Sequence, residues 1–268
     1  DAQLFANLSS MVELAVKAHV EKKIFIEKLL SLGENGPLAL LTMNKDGAPY
    51  LRMKRATYLI GMVGLNDLVK DHLGEELHES KNALKFGLKI IAHMKLLTDK
   101  LSEKYGMRFV LEQTPAESTA YRFAKLDLKD FPAEARRVVK GNLARGQVYY
   151  TNSTYLAVSA PVNPIDRVRM EGLFHPIVEA GALTHIWLGE SRPSKESLAN
   201  FVVKVFKGTQ NDQIAFSPEF TACNTCGRTS RGLSNTCGYS DCNSTDVEGI
   251  TRITGYFTKI SSWTKGKV

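Results

Sequence analysis

The first 222 residues contain no cysteine; all four thiols of this 268-residue chain lie between Cys223 and Cys242. Thiol chemistry is therefore confined to the tail, and nothing upstream suggests a small secreted scaffold held by disulfides. No apolar run approaches the roughly 18 residues of a membrane span, and no stretch reads as a signal peptide. The six histidines (His19, His72, His78, His93, His175 and His185) are scattered, without an HxH or HExxH pairing. Each reads as an ordinary core or surface histidine. Ser118 and Ser153 have no readable His/Asp partners, so serine-hydrolase chemistry is unsupported. Internal repeats, low-complexity tracts and long linkers are missing too. The charge balance is mild: 35 basic against 28 acidic residues, a net +7. That suits polyanionic ligands such as nucleotides but is not a nucleic-acid footprint. The small clusters at 52–55 and 136–137 read as solvated helix faces.

With 43% apolar residues the chain can bury one or two cores. Apolar positions at helical spacing predict a helix over 2–32, ending at Gly33. Leu38 to Met43 reads as a short buried segment and Asp46-Gly47 as a turn. A strand-like run, 58–65, precedes a helix over 67–78 that Asn66 can cap. A long amphipathic helix fits 80–104. A strand at 108–112 then meets Thr114-Pro115-Ala116-Glu117-Ser118-Thr119 and a helix from about 117. Two readings stay open for that junction: an anion site built on free backbone N–H groups, or ordinary capping with Thr114 as N-cap, Pro115 at N1 and Glu117 at N3. Strand material at 146–160 is broken by Tyr150-Thr151-Asn152-Ser153-Thr154, either a polar loop or part of a site wall. A helix from 171 to 181, a strand at 184–188, a helix at 194–206 and a strand at 213–216 follow. Strands alternating with helices predict parallel βα units. Composition shifts once, near 218, to Ser, Thr, Asn, Gly and Cys.

In the tail, Cys223-x2-Cys226 is a chelating hairpin, and Cys237 and Cys242 can complete a closed four-thiolate shell for structural zinc. Two disulfides, or four unrelated buried thiols, are the rival readings. Gly227 and Gly238 follow candidate ligands, where a knuckle turn needs positive φ. The spacing of the second pair, x4, makes Cys242 the least regular ligand. Beyond them lies Arg252-Ile253-Thr254-Gly255-Tyr256-Phe257. A glycine in a strand-like run usually marks a bulge or a close backbone approach. Its other use is chemical: a radical on a glycine α-carbon is flanked by amide and carbonyl and is uncrowded by a side chain, so it can be delocalised and stored.

The four-cysteine knuckle followed by R-I-T-G-Y and a late Trp and Gly-Lys resembles the C-terminal glycyl-radical region of the anaerobic (class III) ribonucleoside-triphosphate reductases. Arg252, Ile253, Gly255, Tyr256, Trp263, Gly266 and Lys267 carry the match, and I-G-M-V-G-L-N-D (60–67), T-P-A-E-S (114–118) and Y-T-N-S-T (150–154) extend it in family order. The resemblance implies half of a ten-stranded α/β barrel over 1–217, a zinc-binding domain over 218–247 and a glycyl-radical loop over 248–268. It implies that Gly255 stores the radical, that Cys223, Cys226, Cys237 and Cys242 bind zinc, and that Thr114, Pro115, Ala116, Glu117, Ser118 and Thr119 hold the substrate triphosphate. It further implies an activase with an iron–sulfur cluster and S-adenosylmethionine, nucleotide effectors, a homodimer, and an anaerobic cytoplasm. The family's mechanism passes the unpaired electron to a barrel cysteine. No thiol is spare here, so the first barrel half and its thiyl cysteine are expected upstream of Asp1, with this chain a piece of a longer enzyme. A zinc-ribbon module contacting nucleic acid is the alternative function. A formate-lyase-like radical enzyme is a third reading, disfavoured by the four-cysteine element.

Overall fold

The apolar stripe that begins at Leu4 forms a long helix, α1 (Ala2–Leu30), and the chain then alternates short strands with helices. The computed structural model describes residues 1–189, 191–263 and 265, with Lys45 described in its backbone alone. After α1 come α2 (Ala39–Thr42), β1 (Asn44–Lys45), β2 (Ala48–Pro49), β3 (Thr57–Gly61), α3 (Leu65–Leu73), α4 (Lys81–Tyr105) and β4 (Arg108–Glu112). Next are α5 (Glu117–Asp130), α6 (Pro132–Val138), β5 (Lys140–Asn142), β6 (Gln147–Tyr149), α7 (Pro164–Glu171), β7 (Thr184–Gly189), α8 (Lys195–Gly208) and β8 (Ile214–Pro218). The tail adds β9 (Phe220–Cys223), β10 (Thr229–Arg231), β11 (Val247–Thr251) and β12 (Thr258–Lys259). No helix among the described residues is long and apolar enough to cross a membrane.

The chain divides into two compact units. The first comprises Asp1–Gly61, Lys89–Glu112 and Ile177–Ala180. Its β3 and β4 pair in parallel, from Thr57 opposite Arg108 to Gly61 opposite Glu112. Val12 and Val16 of α1, Ile60 of β3, Ile90, Ile91 and Leu101 of α4, and Phe109, Val110 and Leu111 of β4 are buried there. The β1–β2 hairpin turns on Asp46 (φ 61°) and Gly47 (φ 80°), the pair of positive φ values that a two-residue hairpin with the right twist requires. The expected buried segment after Pro37 is instead α2, where Leu40 and its neighbour Met43 stay exposed.

The second unit holds Met62–Leu88, Gln113–Pro176 and Gly181–Val268. Its strands β7 and β8 are also parallel, and Val168 of α7, Ile186 of β7 and Val205 of α8 form a buried cluster with Phe201 and Phe216 packed on it. Ser194 caps α8 by accepting the Ser197 N–H, as such residues do at helix starts. Antiparallel β5 and β6 pair over Gly141, whose φ of 94° and position leave no room for a side chain: a Cβ would lie 2.0 Å from the Gln147 carbonyl oxygen. In the tail, β10, β9, β11 and β12 form one antiparallel sheet in that order.

Local expectations failed where side chains found tertiary partners. Asn66 does not cap α3. Gly64, at φ 81°, is its N-cap, and Asn66 is buried within the helix, accepting the Leu77 N–H and donating to Glu76. No helix spans 171–181. Asn163 instead caps α7 with Pro164 behind it, an earlier start that ends at Glu171.

Candidate active site and metal centre

Strand pairing builds the metal centre. β9 ends at Cys223, a tight turn brings Cys226 back, and the Gly227 N–H donates to the Cys223 carbonyl with Gly227 at φ 70°. The loop between β10 and β11 returns Cys237 and Cys242 to the same point. All four sulfurs lie within 4.8 Å of one another, with Cys223 and Cys242 Sγ 3.8 Å apart and Cys226 and Cys237 Sγ 3.7 Å apart. Those separations match the edge of a tetrahedron whose centre is about 2.3 Å from each sulfur, the usual zinc–thiolate length. They are far longer than the ~2 Å of a disulfide, so the disulfide reading has no support in this geometry. Cys242, despite its irregular spacing, joins the cluster. Arg228 Nε donates to Cys226 Sγ at 3.5 Å, and this cation pulls that thiol down to about 6. Gly238 differs from the positive-φ expectation: it is needed because a Cβ there would meet Ser230 at 2.9 Å.

β11 carries the chain from the metal centre to Gly255, since Val247 pairs with Cys223 at one end and Thr251 ends the strand four residues later. The expected strand through Gly255 is therefore a turn between β11 and β12. Side chains from distant positions anchor it. Arg252 donates to Ser217 Oγ (3.0 Å) and the Phe216 carbonyl (3.2 Å) while its guanidinium lies 4.6 Å from the Phe257 ring centre. The Trp187 indole N–H donates to the Ile253 carbonyl at 3.1 Å. Asn152 donates to Thr254 Oγ1 at 3.2 Å. One Glu117 carboxylate oxygen, Oε1, accepts the Thr254 N–H (3.0 Å), the Thr254 hydroxyl (2.8 Å) and the Gly255 N–H (3.3 Å). Tyr256, the next residue, is 90% exposed.

Four separated sequence segments thereby meet. A cavity of about 230 Å³ is lined by Glu117, Tyr150, Thr151, Asn152, Trp187 and Thr254, among others. It is smaller than sites that enclose a whole drug-sized ligand, and suits part of one. Of the six residues expected to hold phosphate, Glu117 alone lines it. Thr114, Pro115 and Ala116 precede α5, whose N-cap is Ala116 and not Thr114, and Ser118 and Thr119 lie in its first turn. No side chain caps that helix start.

The 150–154 segment is a buried wall. Thr151, Ser153 and Thr154 are nearly inaccessible: Gly64 N–H donates to the Thr151 carbonyl, Leu65 N–H to that of Ser153, and the Gln113 side-chain amide to the Thr154 hydroxyl at 3.0 Å. Asp67 completes the clamp by accepting the Thr151 N–H at 2.6 Å. Burial pushes the Asp67 carboxyl up to about 6 despite that bond. Beneath the turn, Arg167 lies 5.1 Å from the Trp187 ring centre and pairs with fully buried Glu171 at 3.0 Å. Burial outweighs this arginine and lifts Glu171 to about 7.

His185, fully buried on β7, stacks on Trp187. Burial, reinforced by the Arg252 charge, holds its pKa near 4, below the ordinary histidine value of 6.5. The folded form keeps it neutral, so its contribution to stability is complete above pH 6.5 and is lost as pH falls through 4. Relative to the parent, His185→Leu is expected to gain up to about 3 kcal/mol between pH 7 and pH 4. Urea unfolding followed by Trp187 fluorescence at stepped pH checks this. A constant difference between the two proteins would refute it.

A family model described as anaerobic ribonucleoside-triphosphate reductase matches residues 1–268. The chain belongs to this family. The enzyme of that name from Escherichia coli K12 is 28% identical over 171 residues, 63% of this chain and 22% of the relative. That of phage T4 is 28% identical over 210 residues, 75% of this chain and 31% of the relative. A solved anaerobic ribonucleotide reductase superposes with a TM-score of 0.75 at 22% identity, covering 96% of this chain and 37% of the other. The Thermotoga maritima enzyme in complex with dATP and CTP gives the same TM-score at 21% identity, over 96% and 39%. The chain therefore has the α/β half-barrel fold of the anaerobic ribonucleotide reductases and spans under two-fifths of these solved relatives. Of the positions that the sequence singles out, the structure brings the four cysteines to one point and Glu117 of the 114–119 segment to the Gly255 turn. Sequence reasoning missed Trp187, His185 and the Arg167–Glu171 pair, which are spread over ordinary helix and strand positions and carry no local signature. Gly266 and Lys267 of the family match lie outside the described residues.

Proposed function

We propose that this chain is the C-terminal part of an oxygen-sensitive reductase that converts ribonucleoside triphosphates to deoxyribonucleotides, with Gly255 storing the unpaired electron. One observation carries the proposal: nothing in the fold requires glycine at 255. It does not have positive φ. A Cβ built there would meet only the Glu117 carboxylate oxygens, at ordinary contact distances of 3.8 and 3.9 Å. A glycine that neither turn geometry nor packing demands, in a turn held by four side chains from elsewhere and the Phe216 carbonyl, is explained by the chemistry of its α-carbon.

In this reading 1–217 is barrel, 218–247 the zinc domain and 248–268 the radical loop. Cys223, Cys226, Cys237 and Cys242 hold a structural zinc whose closed shell leaves no position for substrate. The Thr114–Thr119 backbone at the start of α5 holds phosphate through N–H groups aided by the helix dipole. A separate activase supplies the one-electron chemistry that removes a hydrogen atom from Gly255. The Gly255 radical then takes a hydrogen atom from the thiol of a cysteine carried by residues outside this chain, and the thiyl so formed takes the ribose 3′-hydrogen atom before the protonated 2′-hydroxyl departs as water, with formate or a thiol pair supplying the two electrons of the reduction. Nucleotide effectors, a homodimeric assembly and an anaerobic cytoplasm complete the proposal. Complexes of the Thermotoga maritima relative with dATP and CTP support nucleotide ligands.

The test is electron paramagnetic resonance of the complete reductase after anaerobic activation. A glycine-type doublet, together with deoxyribonucleotide formation, is expected. Absence of the doublet with an activase proven on another reductase would sink the proposal.

A further inference from the structure

The bonds at the turn define how it is held. Glu117 is the first residue of α5, where an acidic side chain is favoured by the helix dipole and its backbone is fixed by the helix. Its Oε1 collects three hydrogens from two consecutive residues, Thr254 N–H, Thr254 O–H and Gly255 N–H. The other anchors, at Arg252, the Ile253 carbonyl and the Thr254 hydroxyl, grip the turn before the glycine. Glu117 is thus the described side chain that grips the glycine itself. It also covers one face of it. The position that a Cβ would take at Gly255 has the two Glu117 carboxylate oxygens as its nearest neighbours, at 3.8 and 3.9 Å, so Glu117 lies on that side of the α-carbon.

Resting on the reading of Gly255 as the radical site, we infer that Glu117 is a positioning residue that latches the glycine turn, and that opening this latch presents Gly255 to a reagent from outside. The carboxylate bonds to the turn are charge-assisted, stronger than neutral ones, and break together when the turn leaves. A latch of this kind sets the balance between a docked turn, which faces the cavity shared with Asn152 and Thr151, and a released turn, which an activating protein can reach. It divides labour within the 114–119 segment: the Glu117 side chain serves the turn, and backbone N–H groups remain for phosphate. A carboxylate would repel a phosphate but suits a row of N–H and O–H donors.

The experiment uses the complete reductase, unactivated, as parent, Glu117→Ala, Glu117→Gln and Glu117→Asp. Amide hydrogen exchange is read by mass spectrometry on peptides covering 248–263. Exchange at 252–257 is expected to rise at least about tenfold in the alanine variant, on the scale of lost charge-assisted bonds. The glutamine variant, which keeps a neutral acceptor, is expected to fall between it and the parent, and protection of 223–242 is expected to be unchanged. Equal protection at 252–257 in alanine variant and parent overturns the latch. So does a general rise that includes the cysteine loops in all three variants, which would mark Glu117 as a simple fold element. In a second arm, Glu117→Gln is expected to form the radical several-fold faster on activation while turning over less nucleotide per radical; slower radical formation overturns the presentation step. If the parent gives no doublet, the radical reading fails while the exchange result still decides the latch, because that arm needs no radical.

Discussion

On the proposed radical role, Gly255→Ala in the complete reductase is expected to reduce nucleotide turnover to background and to remove the radical signal, while leaving stability unchanged or slightly raised. The combination is unusual and follows from the site. Most Gly→Ala losses come from strain at positive φ or from overlap, as would occur at Gly141, where both apply. At Gly255 neither does, and the nearest atoms to an added methyl are 3.8 and 3.9 Å away. At a compatible φ, alanine restricts the unfolded chain and adds about 0.4–1 kcal/mol of stability. The chemistry changes nonetheless, because a methyl on the α-carbon crowds a planar radical and occupies the face that Glu117 covers. Thermal unfolding, zinc content and turnover measured on the same preparation check this. An active alanine variant would remove Gly255 from the mechanism, and an inactive but destabilised one would make it a structural glycine.

The second large effect is expected at the metal. With the proposed zinc in the four-thiolate site, its removal by chelation, or replacement of Cys242 by Ser, is expected to unfold the sheet of β9 to β12 and abolish activity. Structural zinc contributes about 10–16 kcal/mol in small domains of this type, far more than so small a sheet gains from its core. Cys223 and Cys237 are the buried thiols of the tail, and they and their partners fix the turns at 223–227 and 237–243. Without the ion those turns lose their common centre, and the register of β9 with β11 has little to hold it. Cys242 is the informative ligand because its spacing is the irregular one. One zinc per chain in the parent, none in Cys242→Ser, and loss of amide protection over 220–251 are the expected readings. Full zinc retention and unchanged protection in the variant would reduce the site to three thiolates.

Legibility in the sequence depended on how local each feature is. The parallel strands 108–112 and 184–188 were readable because apolar runs bounded by turn residues are a local pattern, and their helices followed the 3.6-residue period. The cysteine cluster was readable because the spacing of its thiols is local, whereas Gly255 stood out only through the order of the motifs around it. What could not be read was which side chain answers which backbone group across the fold. Glu117 reads as the third residue of a capping box but lies 137 residues from its true partner Thr254. Asn66 has the composition of a cap, and tertiary contacts to Leu77 and Glu76 recruited it into a helix interior. The polar 150–154 loop looked exposable, yet Asp67 of α3 accepts the Thr151 N–H and hydroxyl and Gln113 donates to the Thr154 hydroxyl, so both threonines are buried. Satisfied polar groups can go inside, and a one-dimensional reading does not reveal the satisfaction.

The receptors for the glycine turn are dispersed along the polypeptide: Glu117, Asn152, Trp187, and Phe216 with Ser217. None of them belongs to the tail that carries the glycine. A synthetic peptide copying residues 248–268 would therefore bring the reactive position without any of the groups that seat it. Grafting that peptide onto a foreign scaffold would transplant a sequence and leave its socket behind. For engineering, the transferable object is the ensemble of α5, the 150–154 wall, β7, β8 and the tail sheet taken together.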